Sequence, residues 1–363
     1  MTDTPKSDFN PVAVAKAWLD INGADRKATI NDIAEMAGVS KKTVSRIINE
    51  SPLVREETRR NVKQIMDVVG YVPDPQARGL AFRHAFLVGM IYDNPNPQYI
   101  VNMQQGILNG IAGSDHELVV HPCDRTSPDY VSRARAFIER QKLFGVILTP
   151  SVSEDETMAR MLREAGCRYV RIASVSLDED EHMLVTHDRH GARLAAEHIA
   201  GLGHTRIGHI TGRRGFRSAV ERQAGFEEGL ATAGLTLTPN LIFEGDYTFQ
   251  SGVTAAEQLL KQLPRPTAIF AANDEMAAGA LQAFRMAGLR SPDNITIVGF
   301  DDFQIATTIW PRLTTIHSPI SDIGEQAARL LLKPDEAGDP ERENLLPTLI
   351  IRETSGPANS QAL

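Results

Sequence analysis

The sequence predicts an α/β protein, with an all-α head in front of a body of doubly wound parallel sheets. Three observations carry that prediction. Residues 29–70 hold three short stretches with apolar side chains at helical spacing, the first two joined by Ala37-Gly38-Val39. From Phe86 onward, strand-sized apolar runs alternate with amphipathic stretches, the pattern of parallel strands joined by crossover helices. Charge is also split along the chain. Arg26–His84 holds 11 Lys and Arg against 7 Asp and Glu, a net +4 that leaves −12 for the rest of a chain totalling −8.

Taken in order, residues 1–28 have little periodicity beyond a short helix at 12–21, and a mobile extension is expected there. Thr29 caps a helix over Ile30–Met36, with Ile33, Ala34 and Ala37 at helical spacing. Gly38 supplies the left-handed turn that other residues resist. Ser40 caps a second helix over Lys41–Asn49, whose buried stripe is Val44, Ile47 and Ile48. Ser51-Pro52 breaks it, and a third helix runs over Arg55–Val69 until Gly70. Two short helices joined by a glycine turn form a helix-turn-helix, whose second helix enters the DNA major groove. The head therefore spans 29–72, and the prolines at 73 and 75 open a hinge over 73–85, where Ala77–Phe82 allows only a short helix.

In the body, FLVGMIY, HELVVHP, FGVILTP, RYVRIAS, RIGHITG, AIFAAND and ITIVGFDD each read as a buried parallel strand. Helices are expected at Ile100–Ala112, Tyr130–Gln141, Arg189–Ala200, Ala219–Ala233, Ser251–Gln262 and Glu275–Ala287. About seven such units suffice for two lobes, with ligands at the carboxyl ends of the strands.

Composition narrows the function classes. With 363 residues, 42% apolar and 23% charged, the chain is long enough for two or three domains with full cores. The longest apolar runs are far short of a membrane span, so no membrane partner is expected. Only Cys123 and Cys167 are present, which suits a reducing compartment. The opening MTDTPKSDFNPVAVAKAWLD has no basic stretch leading into an apolar one, so a cytoplasmic, nucleoid-associated location is expected. His182, His187 and His190 gather around Asp188, and His121 stands near Cys123, but none has zinc-ligand spacing. No phosphate-cradling glycine loop, GxSxG elbow or HExxH occurs, so neither an enzyme, a cofactor nor a metal is expected.

The segment ATINDIAEMAGVSKKTVSRIINESPLVREETRRNVKQIMDVVGYVPDPQARGL resembles the DNA-binding headpiece of the lactose/galactose-repressor family. The likeness continues through HGARLAAEHIAGLGHTRIGHITG, SAVERQAGFEEGL, IFAANDEMAAGALQAFRMAGLRSPDNITIVGFDD and PRLTTIHSPISDIG, covering nearly everything from Thr29 to Glu353. It implies a headpiece, a hinge and a two-lobed body like the periplasmic sugar-binding proteins, with three crossings between lobes. The first lobe is then about 86–187 and 317–333, the second about 188–316 and 340–354, and 355–363 is a tail.

By the same resemblance, Lys41 and Lys42, which open the recognition helix, and Arg46, one turn on, address base edges. Ser40, Thr43, Ser45 and Asn49 suit phosphate oxygens, as do the hinge arginines Arg78 and Arg83, and Thr29 joins the expected DNA-binding set. Leu80 matches a leucine that wedges into the minor groove, although Gly79 weakens the hinge helix that carries it. In the effector cleft the resemblance places Asn94, Tyr99, Asp188, Arg222, Tyr247, Phe249 and Asp274. An arginine fork, carboxylates and aromatic faces together suit a mono- or oligosaccharide. The expected partners are double-stranded operator DNA, that small-molecule effector and a second copy of the chain. The ending LIIRETSGPANSQAL lacks an apolar heptad, so a homodimer rather than a coiled-coil tetramer is expected. Three other readings stay open: a purine-type corepressor on the same architecture, a plain solute-binding protein, and an enzyme on a doubly wound fold.

Overall fold

In the computed structural model the described residues are 9–23, 26–48, 51, 53–71, 86–333 and 345–359. The head and the body pack as separate units.

The head holds four described helices: α1 (Pro11–Asn22), α2 (Ile30–Met36), α3 (Lys41–Ile48) and α4 (Glu56–Val69). The expectation of a mobile extension therefore fails over α1. Asn10 caps it by accepting from the Val12 and Ala13 amides at 3.1 Å, with Pro11 preset for the first turn. Ala15 is fully buried in the same cluster as Ile33, Val44, Ile47, Val62 and Ile65, with Val14 and Trp18 packed on it. Arg26 then lies over the Trp18 ring at 5.2 Å and pairs with Asp32 at 3.2 Å, tying the end of α1 to the start of α2. Three apolar side chains, Val14, Ala15 and Trp18, dock the segment; its low overall periodicity concealed them. Replacing Trp18 by alanine should cost the head about 1–2 kcal/mol, less than the ~3–5 for a fully buried tryptophan because this ring is half-exposed. Faster native-state amide exchange along α2 and α4 is the readout.

The body is built on two sheets. The first has the order β2-β1-β3-β4-β5, all parallel, from β1 (Leu87–Tyr92), β2 (Glu117–Pro122), β3 (Gly145–Leu148), β4 (Arg168–Ala173) and β5 (Met183–Val185). Burial alternates along its strands. Val88, Met90, Ile147, Val170 and Ile172 face α5 (Pro97–Ile111) and α13 (Ile320–Leu332). Ile91, Val146, Leu148 and Tyr169 face α6 (Tyr130–Gln141) and α7 (Glu156–Glu164). HELVVHP, expected as a buried strand, is instead the half-exposed edge strand β2.

The second sheet has the order β11-β10-β9-β8-β6-β7. Its strands are β6 (Ile207–Thr211), β7 (Ile242–Glu244), β8 (Ala268–Ala271), β9 (Thr296–Asp301), β10 (Thr314–His317) and β11 (Thr348–Ile350). One face packs on α8 (Asp188–Gly201) and α9 (Arg217–Thr232), the other on α10 (Phe249–Leu260) and α11 (Asp274–Met286). α12 (Ile305–Thr308) follows β9. The chain passes to the second sheet after β5, returns to the first through α13, and comes back to finish as β11, antiparallel to β10. The short strands β5, β7, β10 and β11 were not foreseen; β5, β7 and β11 are runs of three residues, too short to show a pattern. Helix α13 lies on α5 backbone to backbone: a Cβ on Gly106 would stand 1.9 Å from the Ser321 carbonyl oxygen. Residues 355–359 are not loose, since the Gly356 amide donates to Thr296 Oγ1 at 3.0 Å and the Ala358 amide to the Leu202 carbonyl at 2.9 Å.

His209 on β6 is fully buried beside Phe226 and Phe270, stacked on the latter at 5.0 Å. Its Nδ1 lies 2.9 Å from the Phe270 carbonyl oxygen, while Nε2 has no protein partner. Burial pushes its pKa down to about 4. Because the folded value lies below the unfolded one, this contribution to stability is complete above pH ~6.5 and is lost as pH falls from there through ~4. The loss should approach 3 kcal/mol, at ~1.4 kcal/mol per pKa unit. A His209→Asn variant keeps a donor toward Phe270 and should show a much flatter acid limb in urea-midpoint measurements.

Candidate functional site

Two sites emerge, one in each unit. In the head, Thr29 and Asp32 form a reciprocal capping box: the Asp32 amide donates to Thr29 Oγ1 at 3.3 Å, and the Thr29 amide to Asp32 Oδ2 at 2.7 Å. The Thr29 hydroxyl also donates to Asp32, and these hydrogen bonds hold that carboxylate below its ordinary range. Both Thr29 protons are thus spent inside the cap, in the capping role expected from the sequence. Gly38 makes the turn at φ 63°. Ser40 then starts α3, accepting from the Thr43 amide at 3.1 Å.

The eight residues of α3 divide by face. Val44 and Ile47 are buried in the head, which leaves Lys41, Lys42 and Arg46 exposed, with Thr43 and Ser45 half-buried. Three cations on one short outward face form a surface suited to the acceptor-rich major groove. Asn49, Arg78, Leu80 and Arg83 lie outside the described residues.

In the body, the carboxyl ends of the two sheets enclose a cleft of about 630 Å³, solvent at its mouth included. Asn94 and Asn96 follow β1, and the Asn96 side-chain oxygen Oδ1 caps α5 by accepting from the Gln98 amide at 2.9 Å and the Tyr99 amide at 3.2 Å. Tyr99 stands in the first turn of that helix. The opposite wall comes from Phe216 and Ser218 after β6, from Tyr247, and from Asn273 at the end of β8. Phe216 and Tyr247 stack at 5.6 Å. Gly212 makes room for this pair, because a Cβ there would stand 2.1 Å from the Tyr247 ring.

Arg222 is the centre of the polar network. Its Nε donates to Asp188 Oδ1 at 2.7 Å, Nη1 to the Ala272 carbonyl, and Nη2 to Asp301 Oδ1 at 3.3 Å. The guanidinium lies over the Phe300 ring at 3.7 Å. Asp188 accepts further bonds from Ser174, at 2.8 Å, and from Thr186. Burial pushes the Asp301 carboxyl up to about 7, against the pull of Arg222. Three residues here hold left-handed backbone: His187 at φ 56°, Tyr247 at φ 70° and Asp301 at φ 101°. Such conformations cost about 1–3 kcal/mol each and gather where a site over-determines the backbone.

The cleft thus brings together Asn94, Tyr99, Asp188, Arg222 and Tyr247 of the residues expected there. It does not include Asp274 or Phe249. Asp274 is fully buried with both oxygens committed, Oδ1 to the Thr315 hydroxyl at 2.5 Å and Oδ2 to the Phe303 amide at 2.7 Å. Burial, then the charge of Asp301, raises its carboxyl well above the ordinary range. Its work is to join β9, β10 and α11. Phe249 opens α10, and its carbonyl is pressed against Gly279 of α11. Their neighbours in space, Asn273 and Asp301, take the lining positions instead. Phe216, Ser218, Asn96 and Ser318 were also missed; GFDD and RRGFRS carried the only signal, a carboxylate and an aromatic at strand ends. Among the described residues no group of three or more His, Cys, Asp or Glu is gathered for a metal, and no helix is long and apolar enough to cross a membrane.

Comparison with known proteins matches residues 29–74 to the bacterial regulatory proteins of the lacI family and residues 196–355 to the periplasmic binding protein-like domain. The transcriptional regulator CelR of Thermobifida fusca is 32% identical over 342 residues, covering 91% of this chain and 98% of that protein. A PurR repressor of Aliivibrio salmonicida is 29% identical over 307 residues, covering 84% and 92%. Among solved structures, a CelR–cellobiose complex aligns over 91% of this chain and all of that one at 29% identity and TM-score 0.67. A lac repressor dimer bound to operator and an anti-inducer aligns over the same shares at 27% identity and TM-score 0.77.

Proposed function

Since the chain belongs to the lacI family of bacterial regulatory proteins and is a DNA-binding transcriptional regulator, we propose that it is a repressor released from its operator by a carbohydrate. One observation carries the carbohydrate reading: the stacked Phe216–Tyr247 pair faces the same cleft as the Arg222–Asp188–Asp301 network. Aromatic faces cover the C–H faces of a sugar ring, while the polar set accepts and donates at its hydroxyls. Its likeness to a cellobiose-binding regulator supports the same class of ligand.

On this reading two protomers engage a near-palindromic site, one α3 in each half-site. Lys41, Lys42 and Arg46 read bases, while Ser40, Thr43 and Ser45 position the helix on phosphates. The sugar shifts the angle between the two sheets, and this separates or rejoins the paired hinge segments. A 100-fold drop in operator affinity requires about 2.7 kcal/mol of coupling, and DNA must weaken sugar binding by the same factor.

The test begins by selecting duplexes from a random pool with purified protein, then titrating the selected duplex with and without cellobiose and other neutral sugars. Enrichment of a palindrome and its release by sugar is the expected result. Likeness to PurR repressors favours a second reading, in which a purine corepressor tightens the complex. Tightening by a nucleobase, with every sugar inert, would replace the carbohydrate reading.

A further inference from the structure

We propose that the cleft admits an uncharged, hydroxyl-rich effector and that Asp301 is the residue that turns away carboxylated and phosphorylated sugars. The inference rests on reading the cleft as a carbohydrate site and specifies which carbohydrates enter it. Arg222, Asp188 and Asp301 are the lining residues that bring a carboxyl or a guanidinium, two carboxyls against one guanidinium. All three are buried, at 9%, 3% and 8% exposure. Each nitrogen of Arg222 already donates to a protein oxygen: Asp188, Asp301 or the Ala272 carbonyl. An incoming carboxylate would therefore meet a cation that is doubly countered, and would bring a third negative charge into a low-dielectric space. Burial raising the Asp301 carboxyl despite its arginine partner points the same way: the network already holds more negative charge than it readily supports.

Arginines outside the lining have carboxylates of their own beside them. Arg214 pairs with Glu244 at 2.8 Å, Arg213 is felt by Asp246, and Arg125 and Arg217 are felt by Glu154. Glu154 also accepts from the Arg217 amide at 3.2 Å, which places a carboxylate on the start of α9. A neutral sugar meets no such penalty. Its hydroxyls can donate to Asp301 and accept from the serine hydroxyls Ser218 and Ser318 at the cleft wall.

Exclusion by a like charge is a removable device, and its removal is the test. Calorimetric titrations of the full-length protein would use matched pairs: cellobiose with cellobiuronic acid, glucose with glucuronate, galactose with galacturonate, and glucose with its 6-phosphate. Work at about pH 8 keeps Asp301 ionised. The Asp301→Asn variant has the same shape, and asparagine tolerates the φ of 101° as well as aspartate does. The wild type should bind the neutral member of a pair roughly tenfold or more tightly, and Asp301→Asn should shrink that ratio by a similar factor. An anionic sugar that binds the wild type as well as its neutral partner overturns the charge filter and leaves the carbohydrate reading standing. An unchanged ratio in a variant that keeps its circular dichroism spectrum overturns it as well. Binding of hypoxanthine or guanine with every sugar silent, or silence across the panel, counts against the carbohydrate reading itself.

Discussion

Replacing Arg222 by methionine should lower stability by about 3–5 kcal/mol at neutral pH and abolish the response to effector. The reason is that two buried carboxylates, Asp188 and Asp301, lose the one cation that compensates them. Asp188 retains its hydroxyl donors Ser174 and Thr186, whereas Asp301 has Arg222 as its ion-pair partner, so most of the loss should sit at Asp301. Its folded pKa lies above the unfolded 3.8 already, and removing Arg222 raises it further. A raised carboxyl contributes stability at low pH that is lost as pH rises through the folded value. The deficit of the variant should therefore be larger at pH ~8 than at ~5.5, which urea midpoints at the two pH values would read. Adding Asp301→Asn to Arg222→Met should recover much of the stability and none of the effector response, a double-mutant signature of one coupled pair serving two roles. A single variant that is as stable as the wild type and still releases DNA with sugar would take Arg222 out of both.

On the DNA side, Arg46→Ala should weaken binding to the selected palindrome by about 1–3 kcal/mol in each half-site. The side chain is exposed on α3 and lies outside the head core, where Val44 and Ile47 are buried, so the fold of the head should be unaffected. Affinity for random duplex should fall only by the share that one charge contributes, and steeply less at high salt. The ratio of palindrome to random binding, measured by anisotropy at fixed salt, separates base reading from phosphate attraction. An unchanged ratio would mean that α3 does not read bases.

Much of the fold was visible as local pattern. The capped start of α2, the glycine turn, the burial of Val44 and Ile47 and the seven main strands of the body each follow from spacing within a dozen residues. Docking of α1 was not visible, because Ala15 and Trp18 acquire a partner surface only when α4 is folded beside them. The short strands β7 and β11 escaped for a similar reason, since edge pairing stabilises segments whose own sequence is neutral.

The two polar sites divide along the same line. For the recognition helix, sequence alone placed Lys41, Lys42 and Arg46 on one outward face, since a helix of fixed period sorts its own faces. For the cleft, the family resemblance named Asp188, which lines it, and Asp274, which does not, and passed over Asp301. Asp274 and Asp301 both end apolar strands in AAND and GFDD, and neither motif distinguishes a lining carboxylate from a fastening one. The distinction arises where β9, β10 and α11 converge: Thr315 and the Phe303 amide take both oxygens of Asp274, and Arg222, arriving from α9, takes Asp301. Hydrogen-bond partners from segments tens of residues apart decide which charge is spent inside the protein and which remains for a ligand, and no local pattern encodes that.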